Sequence, residues 1–328
     1  MTSATLDILA MGDALVDVIA TCEPDFLERF ALPKGAMQLL GESETLALYD
    51  AMGTARETSG GSAANSMAGA AAMGASVAFL GQVADDQLGT IFTHDMRALG
   101  VRFDTAPLQN GPPTGRCLIL VTPDGERTMN TCPGAAHCLP PQAVDEAQVR
   151  SASILYLEGY LFGPELPRQA MFKAIDIAHA ADRTVAFTLS ESVCLPGRKE
   201  PLQQLIAGGG IDLIFANESE ALQLAGATDL DSAIDRLSAQ VKTLVFTRGP
   251  AGALAYEDGQ KTEVPAIQVA QVVDTTGAGD LFAAGFLAAR CKGHPIDRQL
   301  LTGGIAAAEI ISHFGARPVA DLAELVKL

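Results

Sequence analysis

The stretch Asp274-Thr275-Thr276-Gly277-Ala278-Gly279-Asp280-Leu281-Phe282-Ala283-Ala284-Gly285-Phe286-Leu287 decides how the rest of the chain is read. Asp280 is the one ionisable residue between Asp274 and Arg290, and residues 281–289 leave the helix it opens no polar face. Such a helix is buried. A buried carboxylate has to be paired, hydrogen-bonded or aimed at a ligand. Gly277-Ala278-Gly279 supplies a flexible turn whose free N–H groups converge at the helix start, where anions bind. A carboxylate beside an anion-binding turn suits proton abstraction from an alcohol while the turn holds an arriving phosphoryl group. Taken alone, Asp280 is better explained as a helix cap; the rest of the chain is what points elsewhere.

Working outward, residues 263–273 read as a short β segment that delivers the chain to Asp274. Before it, strand and helix alternate: strands over 154–157, 184–189, 211–215 and 244–247, and helices over 165–181 and 201–207. That rhythm predicts a parallel sheet covered on both faces. Helices over 297–312 and 321–327 close the chain. At the other end, residues 6–11 form a buried strand that Gly12 breaks just before Asp13 and Asp17. Ligands in open α/β sheets gather beyond the carboxyl ends of strands, so these two acids are candidates for substrate hydroxyls, and solvated turn acids are an equal alternative.

Residues 60–89, GGSAANSMAGAAAMGASVAFLGQVADDQLG, begin with a small-residue helix that lets another backbone approach closely, with Asn65 its conspicuous polar side chain. A buried amide wants partners. Two irregular β patches, about 14–45 and 111–131, flank this stretch; Thr122-Pro123-Asp124-Gly125 is a hairpin signal in the second. The expectation is one α/β domain over 1–328 with a small discontinuous β-sheet lid built from those two patches.

Lysine plus arginine number 22 against 39 acidic residues, a formal net charge of -17, which argues against nucleic acid as a partner. The N-terminus lacks a basic n-region, and no uncharged apolar run is long enough for a bilayer. Six scattered cysteines without a CxxC pair read as reduced thiols. A cytoplasmic protein without membrane contact is expected. The chain has no GxxxxGK[ST], and GAGDLF lacks the third glycine of GxGxxG, so P-loop and dinucleotide readings are set aside.

Residues 60–89 and 274–287, in this order and spacing, resemble the two motifs of the ribokinase-like (PfkB) carbohydrate and nucleoside kinases, and the likeness covers nearly the whole chain. It implies a three-layer α/β/α fold with a mostly parallel central sheet. It implies Asp280 as general base, with the backbone of Gly277, Ala278 and Gly279 as anion hole. Asn217 and Glu220, within NESE, match an element that organises water and Mg²⁺ around ATP, Glu220 acting through water. Thr247, Gly249 and Gly252, with the segment around His313 and Gly315, would face ATP. Asp13, Asp17, Gly61 and Asn65 would grip sugar or ribose hydroxyls. Asp274 and Thr276 match one side of a monovalent-cation site, K⁺ in some members. Arg127, on the predicted hairpin, is a candidate phosphate contact on closure, with a solvated arginine as the plainer reading.

Within the family, GDALVDV near the start, Gln38-Leu39-Leu40, PTGRC, LEGYLF, TLS and NESEA are most similar to the adenosine kinase branch. Gln38 and Leu161 then fall at substrate-binding positions, with Tyr160 or Phe162 as alternative aromatics for a purine. Two departures stand against that branch: Thr276 where asparagine is usual, and leucine at 161 where an aromatic is expected. The expected activity is therefore ATP-dependent phosphorylation of adenosine by a monomer or homodimer. A sugar kinase acting on ribose, fructose or 2-keto-3-deoxygluconate, and a non-catalytic nucleotide or sugar sensor, are the alternatives.

Overall fold

A computed structural model describes residues 5–190 and 197–328. Cys194, counted above among the reduced thiols, lies outside them.

The larger of two sheets has eight strands. β1 (Leu6–Met11) lies between β5 (Val77–Leu80) and β8 (Ala152–Glu158); β9 (Thr184–Thr188), β10 (Leu213–Asn217) and β11 (Thr243–Thr247) follow in order, all parallel. β12 (Ala253–Glu257) and β13 (Gln260–Val264) complete one edge as an antiparallel hairpin. The near-continuous apolar strands follow from burial on both faces. Ile8 and Ala10 of β1 join one core cluster, Leu9 and Met11 the other, as the period of two requires. The expected β segment at 263–273 is corrected: the strand ends at Val264, and residues 265–277 run without regular structure. The turn before it, Asp258-Gly259, has both residues at positive φ (51° and 77°), as a tight hairpin requires.

The smaller sheet has five strands in the order β3 (Met37–Leu39), β7 (Arg127–Gly134), β6 (Thr114–Val121), β2 (Leu15–Thr21), β4 (Arg56–Gly60). The two β patches, far apart in sequence, do pair: β2 with β6 and β3 with β7, both parallel, while β6 and β7 form the hairpin over Asp124-Gly125. β4, whose sequence is RETSG, carries no apolar alternation and was not expected. Asp17 lies inside β2 rather than at the end of β1, so it hangs from the small sheet while Asp13 belongs to the large one.

α3 (Ser62–Ala72), which follows β4, and α10 (Ala278–Cys291) pack against each other and against β1 of the large sheet. Their approach is close because α3 is made of small residues. A Cβ on Gly69 would stand 2.4 Å from Leu281 Cδ1. On its other side α10 meets α11 (Ile296–Ile310), where a Cβ on Gly285 would fall 2.7 Å from the Thr302 carbonyl oxygen. Residues 281–289 are all buried, as the unbroken apolar run implies.

Candidate active site

A cleft of about 600 Å³ opens between the two sheets. Its floor is the carboxyl edge of the large sheet: Asp13 just beyond β1, Glu158 at the end of β8, Thr188 of β9, Asn217 of β10 and Thr247 of β11 all line it. That is where the strand order reverses about β1, and where open α/β sheets bind ligands. Its roof is one face of the small sheet, read off every second residue: Leu15 and Asp17, Met37 and Leu39, Cys117 and Ile119, Met129 and Thr131.

Asp280 enters this cleft from the first turn of α10. Ser62 Oγ donates to its Oδ1 at 2.6 Å and Asn65 Nδ2 to its Oδ2 at 2.9 Å. Both donors stand at the start of α3, so the packing of α3 on α10 places them. Burial pushes the Asp280 carboxyl above its ordinary value, opposed by these two hydrogen bonds and by the Arg317 guanidinium. The turn before it is left-handed at Gly277 (φ 78°), where a Cβ would crowd Ala316 at 2.9 Å. A Cβ on Gly279 would meet nothing within 4 Å, so its backbone faces open cleft. Ala278 is half-buried in the same turn.

The two acids expected to grip substrate hydroxyls, Asp13 and Asp17, sit against glycines. Gly61 (φ 98°) has no room for a side chain, because a Cβ would lie 2.2 Å from the Asp13 carbonyl oxygen; on Gly60 it would strike the Asp17 carboxylate. Asp13 is 4% exposed and its Oδ1 has no hydrogen-bond partner, with His137 Nε2 3.7 Å away. A buried acceptor left open toward a cleft fits a ligand hydroxyl. Burial raises Asp17 to about 6, against the lowering pull of Arg317 and Arg127.

Two substrate-side expectations change. Gln38 is turned from the cleft by the strand period: its Nε2 donates to Asn130 Oδ1 at 2.8 Å, and its neighbours Met37 and Leu39 line the roof instead. Leu161 is fully buried in the core cluster on the far side of the large sheet, and Tyr160 is the residue of that segment that reaches the cleft.

Of the residues expected to face ATP, Asn217 and Glu220 line the cleft as the capping box of α8 (Glu218–Ala225). Asn217 Oδ1 accepts from the Glu220 N–H at 2.9 Å, and Glu220 Oε2 from the Asn217 N–H at 2.8 Å. Thr247, Thr275 and Thr276 continue the lining, while Gly249 and Gly252 shape the loop behind Thr247. Gly252 (φ 86°) packs so tightly on β13 that a Cβ would stand 2.1 Å from the Val264 carbonyl oxygen. His313 Nε2 meets Glu309 Oε1 at 3.0 Å, and the Gly315 N–H donates to Asp274 Oδ2 at 2.9 Å. Arg127 is not a solvated hairpin residue: its side chain is 8% exposed, and Nη2 lies 2.8 Å from Asp274 Oδ2.

Three site residues carry no signal in the sequence. Ser62 sits unremarked among small residues. Glu158, fully buried, accepts from the Asp13 N–H at 3.2 Å and the Ala63 N–H at 2.7 Å, tying the chain just beyond β1 to the start of α3; burial and the neighbouring Asp13 hold its carboxyl well above the ordinary range. Arg317 donates Nη1 to Asn65 Oδ1 and Nη2 to the Ser59 carbonyl oxygen at 2.8 Å and Oγ at 3.0 Å. By taking the Asn65 oxygen, Arg317 fixes which way that amide points and leaves its NH₂ for Asp280.

The model of the pfkB family of carbohydrate kinases matches residues 43–322. An adenosine kinase of Dictyostelium discoideum is 30% identical over 95% of this chain and 96% of its own. Among solved structures, an adenosine kinase from Sinorhizobium meliloti is 43% identical with TM-score 0.92, covering 99% of each chain. A probable sugar kinase from Rhizobium etli CFN 42 is 41% identical with TM-score 0.93, covering 99% of this chain and 98% of that one. A helix opened by a glycine turn and an aspartate, set at a two-sheet cleft, therefore stands in a ribokinase-like fold, and the chain belongs to the pfkB family of carbohydrate kinases.

Proposed function

We propose that this kinase transfers the γ-phosphoryl group of ATP to the primary hydroxyl of adenosine, giving ADP and AMP. The roof of the cleft carries this reading. Leu15, Met37, Leu39, Cys117, Ile119 and Met129 present a broad apolar face above the polar floor, and Leu39 is 50% exposed for want of anything covering it. A free sugar, hydroxylated all round, gains little from such a face; a flat purine lays one side of its ring against it, with Tyr160 at the edge. Asp13 and Asn65 from below and Asp17 from the small sheet then meet the ribose hydroxyls. Thr276 and the likeness to a probable sugar kinase favour a second reading, a sugar acceptor.

The chemistry follows from the groups present. The acceptor hydroxyl approaches Asp280, whose oxygens retain lone pairs beyond those used by Ser62 and Asn65. As the hydroxyl oxygen bonds to the γ-phosphorus, its proton passes to Asp280, and the bond to the ADP oxygen breaks. The N–H groups opening α10 receive the charge of the transferring group. Glu220, 6% exposed and lining the cleft, fits a Mg²⁺ contact through water beside Asn217. Mg²⁺, when bound, neutralises charge on the ATP phosphates. Closure of the small sheet as a lid excludes water, the competing acceptor. Steady-state rates with Mg-ATP and adenosine, ribose, fructose or 2-keto-3-deoxygluconate test the assignment. Adenosine should have the highest kcat/KM, and a sugar exceeding it sinks the adenosine reading while leaving the kinase intact.

A further inference from the structure

The family resemblance implies a monovalent cation beside the anion-binding turn, held in part by Asp274 and Thr276. The residues present do not fit one. Asp274, buried to 9% exposure, has its carboxylate committed on both oxygens: Oδ1 accepts the Thr276 N–H at 3.0 Å, Oδ2 accepts the Gly315 N–H at 2.9 Å, and Arg127 Nη2 stands 2.8 Å from Oδ2. The guanidinium lies 5.7 Å from the centre of the Phe314 ring, and its Nε is buried without a partner. A metal cation on Asp274 would have to share a buried carboxylate with a second fixed positive charge, and like charges at such range in a low-dielectric setting repel strongly.

We propose that the Arg127 guanidinium does the cation's work. Arginine is always charged, planar and weakly hydrated, so it keeps an ion pair in a buried site. Paired with Asp274, it fixes that carboxylate, which in turn holds the Thr276 and Gly315 backbones, and it adds positive charge beside the turn that receives the phosphoryl group. The device also differs from an ion in one respect: Arg127 is carried on β7 of the small sheet, so the positive charge arrives only when that sheet is docked. Anion-hole completion and lid position thereby become one event. Arg127 acts through Asp274 and the turn, as a positioning residue.

This inference rests on the kinase chemistry of the family and not on the identity of the acceptor, so its test uses whichever acceptor the enzyme phosphorylates. Rates are measured in potassium, sodium and tetramethylammonium chloride at constant ionic strength, alongside the melting temperature in each salt. Flat kcat and unchanged Tm are expected, because a bound ion would stabilise the native state. Potassium raising kcat several-fold or raising Tm specifically would overturn the proposal. Arg127→Met, checked for folding by circular dichroism, should lower kcat by roughly 10²-fold with acceptor KM little moved, on the scale of losing an oxyanion donor. Arg127→Lys should restore part of the rate. Potassium activation appearing only in Arg127→Met would support the substitution of charge, and a folded Arg127→Met with wild-type kcat would refute it.

Discussion

Arg317 and Asp280 are joined through one amide, and that sets what a single substitution does. Arg317 holds Asn65 Oδ1, Asn65 holds Asp280, and the guanidinium lowers the carboxyl against the upward push of burial. Arg317→Met should therefore raise the Asp280 pKa further, moving the acid limb of the kcat/KM profile to higher pH, with Arg317→Lys between the two. An unmoved limb would reduce Arg317 to a strut between Ser59 and α3. Asp17 gives a prediction of opposite flavour. Its folded value of about 6 exceeds its ordinary 3.8, mainly through burial, so its ionisation costs stability that is lost as pH rises through that window. Asp17→Asn should melt higher than wild type above pH 6, by at most roughly 3 kcal/mol, and the gain should vanish below 3.8. The same variant should lose acceptor affinity, a trade of stability against function. At this scale the sequence pointed to many residues that line the cleft, Asp13, Asp17, Asn65, Asn217, Glu220, Thr247 and Asp280 among them, but not to the groups that orient them. Arg317 is 252 residues from the amide it orients and Ser62 is 218 from the acid it binds, and no local pattern records such a contact.

Elements were more legible, for reasons that differ. α10 announced itself through an apolar run with no polar face, and the small residues of α3 foretold the close approach that Gly69 permits. Gly69→Val should destabilise the protein by about 1–3 kcal/mol, the usual range for overpacking, measured by urea unfolding. Its effect on turnover should exceed that of an equally destabilising change far from the cleft, because Ser62 and Asn65 ride on the same helix. The NESE segment was read as a nucleotide element; its observed geometry is a capping box, which the S/T/D/N-x-x-E spacing also encodes. Asn217→Ala should accordingly cost about 1 kcal/mol of stability through the lost cap, in addition to any change in KM for ATP. The β12–β13 hairpin and β4 were missed. Asp258-Gly259 did signal the first, but alternation in β13 is polar on both faces because it forms a sheet edge; β4 is short and nearly without apolar residues.

At the scale of the molecule, strand–helix alternation was enough to foresee the parallel sheet, and pairing of the two β patches followed from their having no other partner. The depth of the cleft did not follow. It depends on Asp13 leaving β1 at a glycine that Glu158 and Ala63 leave no room to replace, and on Asp17 descending from the opposing sheet. No described helix is long and apolar enough to cross a membrane. A net charge of -17 around an anion-handling site means that positive charge is placed locally, by Arg127, Arg317 and the start of α10. All of it converges on the stretch that begins at Asp274, and the most direct measurement is single-turnover phosphoryl transfer by Asp280→Asn. The account predicts a fall of ~10²–10⁴-fold, the range for a general base, with ATP and acceptor still bound. Transfer at close to the wild-type rate would contradict it.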